Sequence, residues 1–152
     1  MEEIVIGLDL IFVADTEKTP FHMPYYIDVL QAMNTGHDGS LSTGHANSVK
    51  DMLSRLETMV LGGAANLPVE VVRKQITSSI DVMVHLQRLR DRSRRVTEIT
   101  EIAGMKDGEI QLNSLYRFVE SGTSLEGKVE GGLRRTGQSM QRVWKLEMAG
   151  LA

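Results

Sequence analysis

The chain has 152 residues, enough for one domain around one hydrophobic core. Its 41% hydrophobic and 24% charged residues are ordinary for a globular protein, and a net charge of −3 argues against nucleic-acid binding driven by bulk charge. Without cysteine it forms neither disulfides nor thiolate metal sites.

In chain order, the first element is "IVIGLDLIFVA", Ile4 to Ala14. It is too short to span a bilayer and follows two glutamates rather than a basic stretch, so it reads as a buried strand with a break at Gly7. Thr16 to Met23 is a polar loop. Pro24 suits the first turn of a helix that runs to Asn34, with Gly36 as its stop. Residues 39–46 read as a short strand or extended loop. Ser48 then caps a strong helix, with Asp51 three residues on. Val49, Met52, Leu53, Leu56, Met59 and Val60 share one face of it, and Gly62-Gly63 ends it. Pro68 opens another helix, with Val69, Val72 and Ile76 along one side. Three extended segments follow, Ile80 to Leu89, Val96 to Ala103 and Glu109 to Phe118. Turns are expected at Asp91-Arg92-Ser93 and, more strongly, at Lys106-Asp107-Gly108. Beyond Glu120, glycines at 122, 127, 131, 132 and 137 suggest a looser tail with a terminal helix near Met140 to Met148. The fold class is therefore α/β, with an antiparallel strand meander near the C-terminus.

Two copies of Thr-Gly-His stand eight positions apart in "TGHDGSLSTGHAN", residues 35–47. A metal site is a weak reading, because no third histidine, cysteine or carboxylate triad accompanies His37 and His45. A serine hydrolase is equally weak, because no Gly-x-Ser-x-Gly elbow exists. On composition alone this is a glycine-rich turn followed by a strand. His85 alternates within an apolar strand and reads as a core or edge histidine, and His22 has no partner in sequence. Arg88, Arg90, Arg92, Arg94 and Arg95 flank one turn; a solvated, charge-rich turn is the plainer reading and a subunit or phosphate contact the sharper one. Arg55 lies on the polar side of the helix after Ser48, placed for a nucleotide, a neighbouring subunit or a surface ion pair. Tyr25, Tyr26 and Trp144 are too scattered for a base-stacking platform.

The run "LQAMNTGHDGSLSTGHANSVKDMLSRLETMV", Leu30 to Val60, closely resembles the secretion ATPases of type II and type IV systems, and within them the CpaF/TadA branch that drives Flp (tight-adherence) pilus assembly. Gly36, His37, Asp38 and Gly39, then Thr43, Gly44, His45 and Ala46, match that family's His box. "LPVEVVRKQITSSIDVMVHLQRLRDRSRRVTEITEIAGM" and "GEIQLNSLYRFV" are similar to the C-terminal part of the same motor domain, and "GGLRRTGQ" to its ending. The resemblance implies a partial RecA-like P-loop NTPase fold, working in a ring, commonly a hexamer, at the cytoplasmic face of the bacterial inner membrane, with ATP as substrate. It implies nucleotide contacts from Gly36, His37, Gly39, Thr43 and His45 and a catalytic role for His45; Arg55, Arg88 and Arg90 are the candidates for subunit contact by their positions on the helix and the turn.

The departures matter as much. No Gly-x-x-x-x-Gly-Lys-Ser/Thr occurs, and "SLEGKVEGG" at 124–132 offers Gly127-Lys128 with no hydroxyl residue after it. ATP and Mg²⁺ binding then requires a P-loop supplied by another chain. At the Walker B position "LIFVAD" ends in Asp15, the nearest stand-in for the family's catalytic carboxylate, and the following spacing does not match. Residues 1–28 thus read as a divergent or foreign segment at the Walker B position, 29–120 as the C-terminal half of a motor domain, and 121–152 as a glycine-rich tail. Such a half exposes a face that should be covered, so the partners expected are further copies, full-length motor subunits or inner-membrane platform proteins, with no nucleic acid and no transmembrane segment. The alternative is a non-catalytic truncated paralogue acting as an assembly module.

Overall fold

The computed structural model describes residues 10–14, 30–31, 41–63, 67–148 and 150. Strands β1 (Leu10–Ala14), β2 (Leu41–His45), β3 (Val82–Arg88), β4 (Arg94–Lys106), β5 (Glu109–Thr123) and β6 (Val129–Arg135) form one sheet in the order β2-β1-β3-β4-β5-β6. The first three are mutually parallel and the last four run as an antiparallel meander. Helices α1 (Val49–Gly63) and α2 (Val69–Ser79) connect β2 to β3, and a short α3 (Trp144–Met148) closes the described chain.

Local chemistry accounts for the boundaries. The Ser48 hydroxyl accepts the Asp51 amide at 3.0 Å and caps α1 as the sequence predicts. Pro68 precedes α2, where its missing N–H is no loss, and its carbonyl accepts from Val71 and Val72. Asp107 and Gly108, both at positive φ, make the two-residue turn between Lys106 and Glu109. Such a turn twists in the sense of the strands it joins.

Both helices pack on one face of the sheet. Met52, Leu56, Met59 and Val60 of α1, Val72 and Ile76 of α2, Met83 of β3 and Ile102 of β4 form the core, together with Leu30. Met52 and Met59, on the apolar face of α1 that the sequence indicates, are both buried. Leu30 and Gln31 are helical, in keeping with the predicted helix there.

The region after Glu120 also departs from expectation. Instead of a loose tail, β5 runs on to Thr123 and β6 pairs along it from Thr123↔Val129 to Tyr116↔Arg135. Gly122 to Lys128 carries the glycine spacing of a phosphate-binding loop, but it is a hairpin turn between antiparallel strands with Val129 in the hydroxyl position. A P-loop requires a strand leading into a helix N-terminus, so this stretch is not one.

Candidate functional site

The carboxyl ends of the three parallel strands lie side by side. In register across the sheet stand Thr43, Phe12 and Val84, then Gly44, Val13 and His85, then His45, Ala14 and Leu86. This end of a parallel sheet is where α/β proteins place ligands, because the loops leaving the strands open a crevice there. Gly44 fixes which way its neighbours face: a Cβ on it would collide with the Met52 side chain of α1. Gly44 therefore faces the helices, and Thr43 and His45 project from the opposite face. Thr43 is exposed and His45 half-buried. Three residues then lead from His45 to the N-terminus of α1, whose first amides favour an anion.

Arg55 reaches back from α1 and donates through Nη1 to the His45 carbonyl at 3.0 Å, bracing the end of β2. Asp15, Gly36, His37 and Gly39, the remaining members of the expected constellation, lie outside the described residues. The structure thus brings together Thr43, His45 and Arg55 from the sequence-derived set.

Arg88 and Arg90 flank the β3–β4 hairpin at the same end of the sheet. Arg90 is held within the chain, since its guanidinium pairs with Glu120 and donates to Thr123 Oγ1 at 2.7 Å. That contact holds the Glu120 carboxyl below its ordinary range and raises Arg90. Asp91 fastens the same hairpin. Its carboxylate accepts from the Ser93 hydroxyl at 2.6 Å, from the Ser93 amide at 2.9 Å and from the Val129 amide at 2.8 Å. These bonds, the Ser93 hydroxyl first, lower its pKa to about 2. Arg88 stands directly opposite Arg94.

His85 is buried, as expected for a core histidine. Its Nδ1 lies 3.1 Å from Thr97 Oγ1, while its Nε2 has no hydrogen-bond partner among the described residues. Two sizeable grooves lined by described residues lie elsewhere. One, of about 390 Å³, is lined by Lys50, Glu57, Arg73 and Glu109, where Arg73 bridges both glutamates. The other, of about 580 Å³, is lined by amide and hydroxyl side chains including Gln111, Asn113 and Gln138. Neither is lined by Thr43 or His45. Among the described residues no cluster of three or more His, Asp or Glu side chains is arranged to hold a metal. No described helix is long and apolar enough to cross a membrane.

The family model for the Type II/IV secretion system protein matches residues 26–130, more than half of the chain. The chain belongs to that family. A candidate conjugal transfer protein of Mycobacterium tuberculosis (strain H37Rv) is 33% identical over 90 residues, covering 59% of this chain and 25% of the relative. The conjugal transfer protein TrbB of Rhizobium radiobacter is 32% identical over 94 residues, covering 62% of this chain and 28% of the relative. This family member thus spans about a quarter of the length of the curated relatives it matches. Among solved structures, the VirB11 ATPase from the Brucella suis type IV secretion system, in complex with sulphate, aligns over 62% of this chain and 41% of that one, at 22% identity and a TM-score of 0.46.

Sequence reasoning missed two features of this secretion-family chain. The direct opposition of Arg88 and Arg94 depends on hairpin register, for which the signal was the symmetric spacing of arginines about Asp91. The role of Gly44 depends on how closely α1 approaches β2, which no local pattern encodes.

Proposed function

We propose that this chain is the C-terminal part of a RecA-like motor domain that couples ATP hydrolysis to secretion, with Thr43 and His45 placed toward the nucleotide phosphates. The carrying observation is the position of these two side chains on one face at the carboxyl ends of parallel strands, beside the start of α1. The imidazole and hydroxyl can each donate to a phosphate oxygen, and the strand passes any shift directly to α1. Arg55 holds the peptide carbonyl of His45 and so orients the strand end. Family membership supports the reading at the level of the secretion apparatus. The remaining parts, the phosphate-cradling loop with its lysine and the Mg²⁺ it helps hold, come from outside these 152 residues, and Asp15 stands nearest to the Walker B carboxylate in sequence. The setting we propose is the cytoplasmic face of a bacterial inner membrane, within an oligomeric ring.

The run from Leu30 to Val60 favours a Flp pilus motor, whereas the naming of two relatives as conjugal transfer proteins favours a conjugation machine. Complementation separates them: the pilus reading requires that the gene carrying this segment restore surface pili and not plasmid transfer.

On this reading the isolated chain releases no phosphate from ATP. Mixed with a P-loop-bearing segment of the motor domain it gains turnover, and His45→Ala lowers that turnover by about 10²-fold or more while leaving the mixture associated. Phosphate release and co-elution are the two measurements. Turnover by the isolated chain, or an unaffected His45→Ala mixture, overturns the assignment.

A further inference from the structure

The five arginines around the β3–β4 turn are not equivalent. Arg90 and the turn residue Asp91 bolt the hairpin to β5 and β6 through Glu120, Thr123 and Val129. The contacts of the hairpin are therefore structural at its tip. At its base the picture reverses. Arg88 and Arg94 are directly opposed across the antiparallel ladder and both are exposed. Like charges facing each other in this way destabilise a strand pair. Among the described residues neither guanidinium has a hydrogen bond or an ion pair, so no carboxylate there offsets the repulsion.

The direction in which this pair projects follows from the ladder. Met83 is fully buried in the helix-covered core, so Val84, Leu86 and Arg88 face the other side of the sheet. The extra residue at the bulge, Thr97, lies in β4 and bonds His85, so β3 keeps its alternation through Arg88. Directly opposed residues share a face, which puts Arg94 with Arg88. That is the face from which Thr43 and His45 project, by the opposite orientation of Gly44. The end of the sheet is also shared: His45 and Leu86 both stand level with Ala14, and Arg88 is two residues beyond. β2 and β3 are separated only by β1, about 10 Å at the usual strand spacing. Two guanidiniums that no described carboxylate neutralises and the Thr43–His45 pair thus rim one side of the same sheet end.

We propose that Arg88 and Arg94 form a cationic clamp for a phosphate-bearing anion, the polyphosphate of the nucleotide that Thr43 and His45 face. The inference rests on the His45 reading for the identity of that anion, but not for the existence of the clamp. Paired guanidiniums suit a phosphate because each offers a fork of N–H donors to its oxygens. Ligand binding would supply the negative charge that the ladder itself lacks, and the Arg90 and Asp91 anchors hold the hairpin still for it.

The test uses the full chain and inorganic tripolyphosphate, with calorimetry at low salt. Wild-type protein is expected to bind, and Arg88→Gln/Arg94→Gln to weaken binding by about tenfold or more. A control removing the same charge at the hairpin tips, Arg92→Gln/Lys128→Gln, is expected to change it by less than about twofold. Should the double variant fail to fold, Arg94→Gln alone serves, with an expected loss of about threefold or more. Removing the like-charge contact should also leave the melting temperature unchanged or raised. Equal losses in the clamp and control variants, no loss, or no binding by the wild type overturn the proposal. Sedimentation with phosphatidylglycerol vesicles distinguishes the other source of phosphate. A clamp variant that loses vesicle binding while keeping tripolyphosphate binding also overturns it. His45→Ala separates the two readings. Loss with His45→Ala but not with the clamp variant refutes the clamp alone, and the converse refutes only the role of His45.

Discussion

Gly44 shows how one residue can be conspicuous in the sequence for one reason and required in the structure for another. It sits between Thr43 and His45 in the motif, yet its side faces α1, where the Met52 side chain occupies the space a Cβ would need. Met52 is fully buried and cannot swing into solvent. Gly44→Ala is therefore expected to destabilise the fold by about 1–3 kcal/mol through overpacking. Combining it with Met52→Ala should show a favourable coupling in a denaturant-unfolding cycle. An alanine variant as stable as the parent would remove the close approach from the account. Asp91 gives a second prediction at this scale. Its folded pKa of about 2 lies below the ordinary carboxylate value, so it contributes stability that is fully present above about pH 4. That contribution is lost as pH falls from there toward 2. The amide signals of Ser93 and Val129, followed by NMR, should shift in that window, whereas in Asp91→Asn they should not titrate there. The candidate site was legible in the sequence as far as Thr43 and His45, because a motif names residues. Gly44 as a packing contact and Arg94 as the partner of Arg88 were not, because both arise only when separate elements meet.

Elements governed by short-range chemistry were the most legible. Ser48 before the run Val49 to Val60, and Asp107-Gly108 between two extended segments, each carry their own start or turn signal. β6 was hidden because "VEGGLRR" lacks a clean alternation and its glycines suggest a loop. The structure gives Gly131 a different role. A Cβ there would come within 2.5 Å of the Val119 carbonyl and 2.8 Å of the Phe118 ring, so only glycine lets β6 lie so close to β5. The helix after β6 was expected near Met140 to Met148 and lies at Trp144–Met148, but its anchor was illegible, since it is built from distant charges. Buried Glu101 accepts from the amides of Gln141 and Arg142 and from Asn113 Nδ2. Arg142 in turn donates through Nη1 to the carbonyls of Thr77 at 2.8 Å and Ile102 at 3.2 Å. The last turn of α2 has no basic residue of its own, so this guanidinium serves the negative end of the helix. Asp81 completes the clasp with Lys145 at 2.7 Å and Arg142 at 3.6 Å. Arg142→Leu leaves carbonyls unsatisfied and weakens the pairing of a buried carboxylate. It should cost about 2–4 kcal/mol in global unfolding. It should also raise hydrogen exchange in residues 139–148 before the rest of the sheet responds. Uniform exchange with unchanged stability would show that the strap is not held this way.

The sheet as a whole decides where the molecule is incomplete. β1 is paired on both sides, by β2 and by β3, and among the described residues the parallel half of the sheet ends at β2. Among the described residues the outer side of β2 has no strand beside it, and Leu41 at its start is 66% exposed. Parallel sheets are normally covered on their faces and flanked by further strands. A bare edge strand with an exposed leucine is a template for pairing with another chain. The relatives are about four times as long as the segment they share with this chain, so most of their length lies outside that segment. We therefore expect the purified chain to associate, with itself or with full-length family members, through β2. Leu41→Lys places a charge on that edge at a position with little burial to lose, so it should reduce association while changing stability by less than about 0.5 kcal/mol. Size-exclusion chromatography with light scattering on both proteins distinguishes the outcomes. If the parent chain remains a monomer across a wide concentration range, the open edge is not an interface. If Leu41→Lys associates as strongly as the parent, the contact lies elsewhere, and the other edge strand, β6, becomes the place to look.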